Sequence, residues 1–191
     1  MIILASQSPR RAELLRQIGI AFKAAPADVD ETPLRNETPE DFIRRIAIAK
    51  AQAIRASHPG NIVLGSDTAL VLDGHILGKP QCREHAIDML LSLSGREHRV
   101  LTGVAVVHQE VEYALSDSLV SFRELTRSEA EDYWASGEPA DKAGSYAIQG
   151  YAAVFIRRIE GSYSGIMGLP LFETAQLLRQ AGVTLQAHLP E

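Results

Sequence analysis

The hydrophobic residues form short apolar runs that alternate with stretches opened by helix-capping residues. Apolar runs over residues 1–5 and 22–25 predict short strands. Ser8 and Thr38 each precede a proline, a combination that favours a helix start. The predicted helices cover residues 9–18 and 39–57. The first part of the chain therefore predicts strands that alternate with helices.

The middle of the chain predicts a β-hairpin. Residues 64–80 have the sequence LGSDTALVLDGHILGKP, in which Asp73 and Gly74 form a two-residue turn signal between apolar stretches. We expect the incoming strand to end at Gly65 and a turn of small residues to follow at 66–68. The apolar run after that turn then leads into the hairpin.

The open ends of this hairpin carry opposite charges. Asp67 precedes the turn and Lys79 follows it at a similar distance along the chain. Because antiparallel strands joined by a short turn bring such ends side by side, we expect the two side chains to lie near each other. An alternative for Asp67 is a turn residue whose carboxylate binds its own backbone.

Beyond residue 80 the pattern completes an α/β chain with a mixed sheet. The predicted elements are a helix at 83–93, strands at 98–108 and 111–123, a helix at 126–136, an apolar strand at 151–156, a turn at 160–164 and a final helix from 171 closed by Gly182. Connections by both helices and hairpins predict parallel and antiparallel pairs in one sheet. The sequence shows no repeat, no low-complexity tract and no long linker.

Composition and charge narrow the class of protein. The chain has 191 residues, of which 46% are hydrophobic and 23% charged, as in ordinary soluble globular proteins. A net charge of -5 argues against a broad nucleic-acid surface, so no nucleic-acid partner is expected. The single cysteine, Cys82, excludes an internal disulfide and a cysteine-based metal site. The apolar start spans only about five residues, too short for a signal peptide or a membrane span, which predicts a cytoplasmic protein with no membrane partner.

Two arginines at a helix start point to a bound anion. Arg10 and Arg11 fall in the first turn of the helix that Ser8 precedes, where the helix dipole makes a cation unfavourable by roughly 0.3–1 kcal/mol. A bound phosphate would make the arginines favourable at this position, because backbone N–H groups and guanidinium groups would both face the anion. We favour a phosphate site over the alternative, in which both arginines face solvent.

Lys50 occupies an unusual place for a lysine. On a helical wheel it lies near the centre of an apolar face whose other members are Ile43, Ile46, Ala47 and Ile54. A lysine there must either extend its ammonium group to the surface or meet a buried anion. Because the first solution is usual at the edge of an apolar stripe, the central position favours an anion in a cleft.

Three common functional motifs are incomplete or absent. Residues 74–80 resemble a Walker A loop but are one residue short, and Pro80 replaces the metal-binding hydroxyl. Residues 161–165 mimic a nucleophile elbow with Tyr163 at the position of the nucleophile. The histidines lack the spacing of metal ligands, which argues against structural zinc.

The remaining candidates suit phosphoryl chemistry. Besides the arginine pair they are two lysines, Lys50 and Lys79, and three carboxylates, Asp67, Glu31 and Asp30. Carboxylates hold Mg²⁺, which usually takes one or two of them plus substrate phosphates. Cations neutralise phosphate charge as it develops, and an acid can orient or deprotonate the attacking water.

Six ordered motifs resemble those of the Maf family of nucleotide pyrophosphatases. They are LASQSPRR at 4–11, GSDT at 65–68, GKP at 78–80, SG at 94–95 with His98 and TG at 102–103, DKAG at 141–144, and GLPL at 168–171. The resemblance implies an α/β, inosine-triphosphatase-like fold with a mixed twisted sheet in two lobes around a deep cleft, formed by a single domain over residues 1–191. It also implies a house-cleaning hydrolase that cuts a nucleoside triphosphate between the α and β phosphates with the help of a divalent metal cation, Mg²⁺ or Mn²⁺.

The resemblance also assigns roles to individual residues. Asp67 matches the proton acceptor, and it joins Glu31 as a metal ligand. Positions tied to phosphate, metal or water correspond to Ser8, Arg10, Arg11, Glu31, Lys50 and Lys79. Residues 143–150 resemble the subgroup that acts on dTTP and UTP, whose specificity positions correspond to Arg10, Thr68 and Gln149. Ser145 departs from the closest pattern, which has alanine there.

Two alternative functions stay open from the sequence. One is a 7-methyl-GTP pyrophosphatase of the same family, and the other is a non-catalytic nucleotide-binding regulator of cell division. Modified pyrimidine nucleotides are further candidate substrates. The family also suggests a homodimer, which no pattern in the sequence supports.

Overall fold

The computed structural model describes residues 1–185 and is built around a seven-stranded sheet. Its strands are β1 (Ile2–Leu4), β2 (Phe22–Ala24), β3 (Ile62–Leu72), β4 (His75–Leu77), β5 (Glu97–Val107), β6 (Val111–Phe122) and β7 (Ile156–Glu160). The order across the sheet is β2-β1-β3-β5-β6-β7, and β4 pairs with β3 outside this path. β1 is parallel to β2 and β3, whereas the other pairs are antiparallel. The predicted α/β fold with a mixed sheet is confirmed.

Helices cover both faces of this sheet. They are α1 (Pro9–Gln17), α2 (Pro39–Ser57), α3 (Arg83–Leu93), α4 (Arg127–Ala135), α5 (Tyr163–Met167) and α6 (Leu171–Gln180), with 3₁₀ helices at Glu138–Asp141, Ala143–Ser145 and Tyr151–Phe155. At α2, the side chain of Thr38 accepts a hydrogen bond from the N–H of Asp41, as the capping signal predicts. At α1, Ser8 occupies the N-cap position, but its side chain makes no capping bond.

Successive residues of β3 face opposite sides of the sheet, and each side carries two apolar clusters. On one side, Val63 and Ala69 belong to two clusters that both pack against α2. On the other side, Leu64 packs with α1 and α6, and Leu70 packs with α3 and α4. An apolar lobe therefore surrounds each end of β3, and the middle of this strand lies between the two lobes.

One edge of β3 has a gap between its two strand partners. β1 pairs with residues 62–64 and β4 pairs with residues 70–72. Leu64 accepts a hydrogen bond at this edge, and backbone groups alternate in direction along a strand, so those of Ser66 and Thr68 also face the gap. The gap forms the floor of a cleft.

Gly65 allows α2 to approach β3 closely. A Cβ atom on this residue would lie 2.4 Å from the carbonyl oxygen of Ala47 and 2.7 Å from the backbone nitrogen of Ala51. Any side chain at this position would push α2 away from the strand. The close approach brings Lys50 on α2 within reach of Asp67 on β3.

The turn predicted at residues 66–68 is wrong, because these residues continue β3. The strand pairs with β5 without interruption, and Asp67 lies opposite Gly103. Small polar residues are accommodated because α2 packs closely beside them and because the hydroxyl of Ser66 donates to the carbonyl oxygen of Gly168 (3.0 Å). Their small size indicates tight packing rather than a turn.

The hairpin turn at Asp73 and Gly74 is confirmed. Both residues have a positive φ, 52° and 80°, as the favoured two-residue hairpin turn requires. The register across the turn pairs Leu72 with His75.

The strand predicted at 151–156 is also wrong. Tyr151–Phe155 forms a 3₁₀ helix, and β7 begins at Ile156. The run buries Ala152 and Phe155, which are three residues apart, as one face of a 3₁₀ helix requires. A short apolar run does not by itself distinguish this period from that of a strand.

The five helices predicted from the sequence are confirmed as α1, α2, α3, α4 and α6. The sequence did not predict α5, which begins within the turn expected at 160–164 and has Ser162 as its N-cap. Within residues 1–185, no helix is both long and apolar enough to cross a bilayer. The single domain expected over residues 1–191 stays a prediction.

Candidate active site

A cleft of about 1090 Å³ opens along the gap at the edge of β3. All nine side chains predicted as site residues line it, namely Ser8, Arg10, Arg11, Glu31, Lys50, Asp67, Thr68, Lys79 and Gln149. Asp30, the third candidate carboxylate, does not line the cleft and accepts a hydrogen bond from the N–H of Thr32 (2.9 Å). The fold thus brings together residues from six separate stretches of the chain.

Lys50 is the centre of a cluster of three charges. Its Nζ lies 2.7 Å from Asp67 Oδ1 and 2.7 Å from Glu31 Oε1. Lys50 and Asp67 are each only 8% exposed, whereas the Glu31 side chain is 53% exposed. The sequence predicted an anion for this lysine, and the anions it meets are carboxylates of the protein itself.

The ion-pair partner of Asp67 is Lys50 rather than Lys79. Both lysines line the cleft, but Lys79 is exposed and makes no salt bridge within residues 1–185. The pairing of β4 with β3 ends at Leu77, so the hairpin does not continue as far as Lys79. Lys79 therefore presents an uncompensated positive charge to the cleft.

Arg10 and Arg11 have different surroundings although both begin α1. The Arg11 guanidinium donates to the carbonyl oxygen of Gly168 (2.8 Å), to Ser6 Oγ (3.3 Å) and to Thr68 Oγ1 (3.2 Å). Burial lowers the pKa of Arg11 from its ordinary value. Arg10 has no hydrogen-bond or salt-bridge partner in the described part of the chain. Arg11 thus ties α1 to β3 and to the end of α5, whereas the guanidinium group of Arg10 lines the cleft without a protein partner in the described residues.

A chain of hydroxyl groups fixes Thr68 at the cleft wall. Thr102 Oγ1 lies 2.7 Å from the carbonyl oxygen of Gly165 and 3.0 Å from Thr68 Oγ1. Each hydroxyl has one proton, so Thr102 donates to Gly165 and Thr68 donates to Thr102 while accepting from Arg11. The orientation of Thr68 is therefore set by the protein before any ligand binds.

The segment 146–150 presents Gln149 to the cleft. Gln149 is exposed, whereas the three residues before it are buried. On the inner side, Tyr146 Oη lies 2.8 Å from His98 Nε2. Burial lowers the pKa of His98 to about 4, so the ring is neutral near pH 7. We assign Nε2 as the acceptor of the tyrosine proton, which leaves Nδ1–H as the unpaired group of this pair. With the opposite direction, both Nδ1 and the tyrosine proton would lack a partner.

The two carboxylates beside Lys50 fit a divalent-metal site that the substrate would complete. Asp67 and Glu31 each direct one oxygen at Lys50, and their second oxygens have no partner within residues 1–185. The same part of the chain contains no group of three or more His, Cys, Asp or Glu side chains arranged to hold a metal. An ion at this place would take its other ligands from phosphate and water, as Mg²⁺ usually does.

Two further cleft residues have no role in the sequence interpretation. Lys142, which pairs with Asp141, and Tyr146 both line the cleft. Only four of the nineteen lysine and arginine residues are lysines, namely Lys23, Lys50, Lys79 and Lys142. All but Lys23 line the cleft, so the scarcity of lysine was a signal for Lys142. Tyr146 lies within residues 143–150, the segment that resembles the dTTP/UTP subgroup, but the resemblance assigns it no role.

Comparison with known proteins places the chain among nucleotide enzymes along nearly its whole length. The model of the Maf-like protein family matches residues 1–181. A dTTP/UTP pyrophosphatase of Alkalilimnicola ehrlichii is 54% identical, covering 98% of this chain and 96% of the relative. One of Colwellia psychrerythraea is 49% identical, covering 98% and 91%. A solved HAM1 protein from Coxiella burnetii, 18% identical, matches 94% of this chain and 98% of its own with a TM-score of 0.53, which shows the fold.

Proposed function

The chain belongs to the Maf family, and we propose that it hydrolyses dTTP and UTP to the nucleoside monophosphate and pyrophosphate. Relatives that are 54% and 49% identical over almost the whole chain carry this activity in their names. The observation that carries the proposal is the cleft that the Asp67–Lys50 pair shares with Arg10 and Lys79. Carboxylates combined with cations suit phosphoryl transfer, in which positioning and charge compensation dominate.

The positive side chains supply the binding site for the triphosphate. Arg10 and Lys79 line the cleft and have no ionic partner within residues 1–185, so a phosphate gains their charge without breaking a protein contact. Arg11 also lines the cleft, but its guanidinium group donates hydrogen bonds to Gly168, Ser6 and Thr68. We therefore assign Arg11 mainly to holding the phosphate-binding wall in shape.

Asp67 is the proposed proton acceptor. A water molecule attacks the α-phosphorus, the bond from that phosphorus to the bridging oxygen breaks, and pyrophosphate leaves with the bridging oxygen. The proton lost by the water passes to the Asp67 carboxylate, a role that general bases of this kind fill. Lys50, 2.7 Å from Asp67 Oδ1, fixes the direction in which the carboxylate points.

Asp67 and Glu31 are also the residues that would hold Mg²⁺ or Mn²⁺. A bound ion would neutralise phosphate charge and orient the triphosphate. The unpartnered second oxygens of the two carboxylates support this proposal. Because both first oxygens lie against Lys50, the ammonium group holds the two ligands near each other.

Three cleft residues are proposed to select the base and its neighbouring phosphate, namely Gln149, Thr68 and Arg10. A carboxamide can donate and accept hydrogen bonds at once, which suits the edge of thymine or uracil. Gln149 is exposed in the cleft, and Thr68 is held in one orientation by Arg11 and Thr102. Modified pyrimidines that keep this edge remain candidate substrates.

A panel of nucleotides tests the proposal. The protein is incubated with dTTP, UTP, 7-methyl-GTP and other triphosphates in the presence of Mn²⁺, and released pyrophosphate is measured. The proposal expects release from dTTP and UTP above all others. A preference for 7-methyl-GTP would overturn the subgroup, and no product from any nucleotide would favour a non-catalytic regulator. The homodimer and the cytoplasmic location stay predictions.

A further inference from the structure

The segment 146–150 is held at both ends by one carboxylate that lies outside the cleft. Glu138 Oε1 accepts a hydrogen bond from the hydroxyl of Tyr133 (2.6 Å), and that hydroxyl accepts one from the N–H of Ala147 (3.2 Å). Glu138 Oε2 accepts from the N–H of Tyr151 (2.9 Å). Both contacts end on the backbone on either side of Gln149.

The tyrosine in this chain of bonds is buried and packed between aromatic rings. Tyr133 on α4 is 1% exposed, and its ring packs edge-on against Phe155 and stacks with Tyr151 at centroid distances of 5.3 Å and 6.2 Å. Burial and the bond to Glu138 raise the pKa of Tyr133, so its hydroxyl keeps its proton near pH 7. It therefore transmits the position of Glu138 to Ala147.

Gly150 shows how closely the carboxylate fits the turn that follows Gln149. A Cβ atom on Gly150 would lie 2.2 Å from Glu138 Oε1. The carboxylate thus occupies the space that a side chain would take, next to the residue that faces the base. A shift of Glu138 would be transmitted to Gln149 through one intervening residue.

We propose that Glu138 is a positioning residue for base selection, which acts on Gln149 through Tyr133, Ala147 and Tyr151. The proposal rests on the proposed function, since it assumes that Gln149 meets the pyrimidine. Glu138 does not line the cleft, so it contacts no substrate. If it only stabilised the fold, its loss would affect all nucleotides alike. A positioning role instead predicts a change in the preference between pyrimidines.

The discriminating measurement is the ratio of kcat/KM for dTTP to that for dCTP, whose base exchanges donor and acceptor at positions 3 and 4. Glu138→Gln removes one of the two acceptor oxygens, and Tyr133→Phe removes the hydroxyl while keeping the buried ring. The control is Asp132→Asn, which changes an exposed carboxylate on α4, the helix that carries Tyr133. Unfolding in urea establishes that each variant is folded under assay conditions.

We expect Glu138→Gln and Tyr133→Phe each to lower the dTTP preference roughly tenfold, mainly through the KM for dTTP, because a misplaced partner leaves polar groups unpaired. The double variant should lose no more than the single ones, since both act through one chain of bonds. The control should keep the preference of the unmodified protein. An unchanged preference in both folded variants would overturn the proposal.

The two proposals fail in different ways. If the unmodified protein releases no pyrophosphate from dTTP, the proposed function fails. The preference is then measured as the ratio of Kd values for dTTP and dCTP in the same variants. An unmodified protein that binds both equally would overturn the positioning role as well.

Discussion

Lys50 Nζ on α2 lies 2.7 Å from Asp67 Oδ1 on β3, and both side chains are almost fully buried. The contact depends on packing, because Gly65 lets α2 come against the strand. The ammonium group keeps the carboxylate paired in a poorly hydrated wall and sets its direction. The same pair therefore contributes both to the stability of the fold and to the proposed catalysis.

Replacing Lys50 by methionine should lower the free energy of unfolding by about 3 kcal/mol, because it leaves Asp67 buried without a partner. Lys79→Met removes the same charge from the same cleft, but at an exposed position without an ion pair. It should change stability by less than about 0.5 kcal/mol and raise the KM for dTTP. Urea unfolding of both variants checks this, and equal losses of stability would contradict the account.

Asp67→Asn should lower kcat by about a hundredfold or more while dTTP still binds, since the amide cannot accept the proton of the attacking water. The measurement is steady-state turnover together with the Kd for dTTP. Asp30→Asn is the matched control, because Asp30 lies outside the cleft, and it should turn over like the unmodified protein. Turnover by Asp67→Asn at the unmodified rate would exclude the proposed base.

Gly65→Ala should destabilise the protein by about 2 kcal/mol, because the new methyl group would overlap the backbone of α2. The displaced helix would also separate Lys50 from Asp67, so turnover should fall as well. Gly78→Ala is the control, because a Cβ atom there meets nothing within 4 Å. Thermal unfolding of the pair checks this, and equal melting temperatures would show that α2 adjusts freely.

His98 predicts a loss of stability in acid. Its pKa is about 4 in the folded protein and about 6.5 when unfolded, so the unfolded chain takes up the proton first as the pH falls. The contribution of neutral His98 to the free energy of unfolding is fully present above about pH 6.5, and about 2 kcal/mol of it is lost by about pH 5. His98→Gln keeps an acceptor for Tyr146 but does not titrate. Urea unfolding should therefore show a steeper pH dependence in the unmodified protein, and parallel curves would refute the assignment.

The helices and the hairpin could be predicted because their signals are local. Thr38 with Pro39 marks the start of α2, and Asp73 with Gly74 marks the turn between β3 and β4. The burial of Lys50 could also be predicted, since helical periodicity places it on the apolar face. Each of these inferences needs only residues that are close in the sequence.

The errors arise where distant residues decide the structure. Ser66 belongs to a strand because β5 pairs with it and because Gly168 accepts from its hydroxyl, neither of which is visible in the local sequence. The ion pair between Asp67 and Lys50 was not predicted, because Lys50 belongs to α2, an element that precedes the hairpin. The contacts of Glu138 with Tyr133 and Tyr151 likewise depend on how the chain returns to the sheet.

The site of bond cleavage tests the central claim most directly. The protein is incubated with dTTP in water labelled with heavy oxygen, and the products are analysed by mass spectrometry. The account predicts equal amounts of dTMP and pyrophosphate, with the label only in dTMP, because water attacks the α-phosphorus. Label in pyrophosphate, or release of dTDP and phosphate, would contradict it.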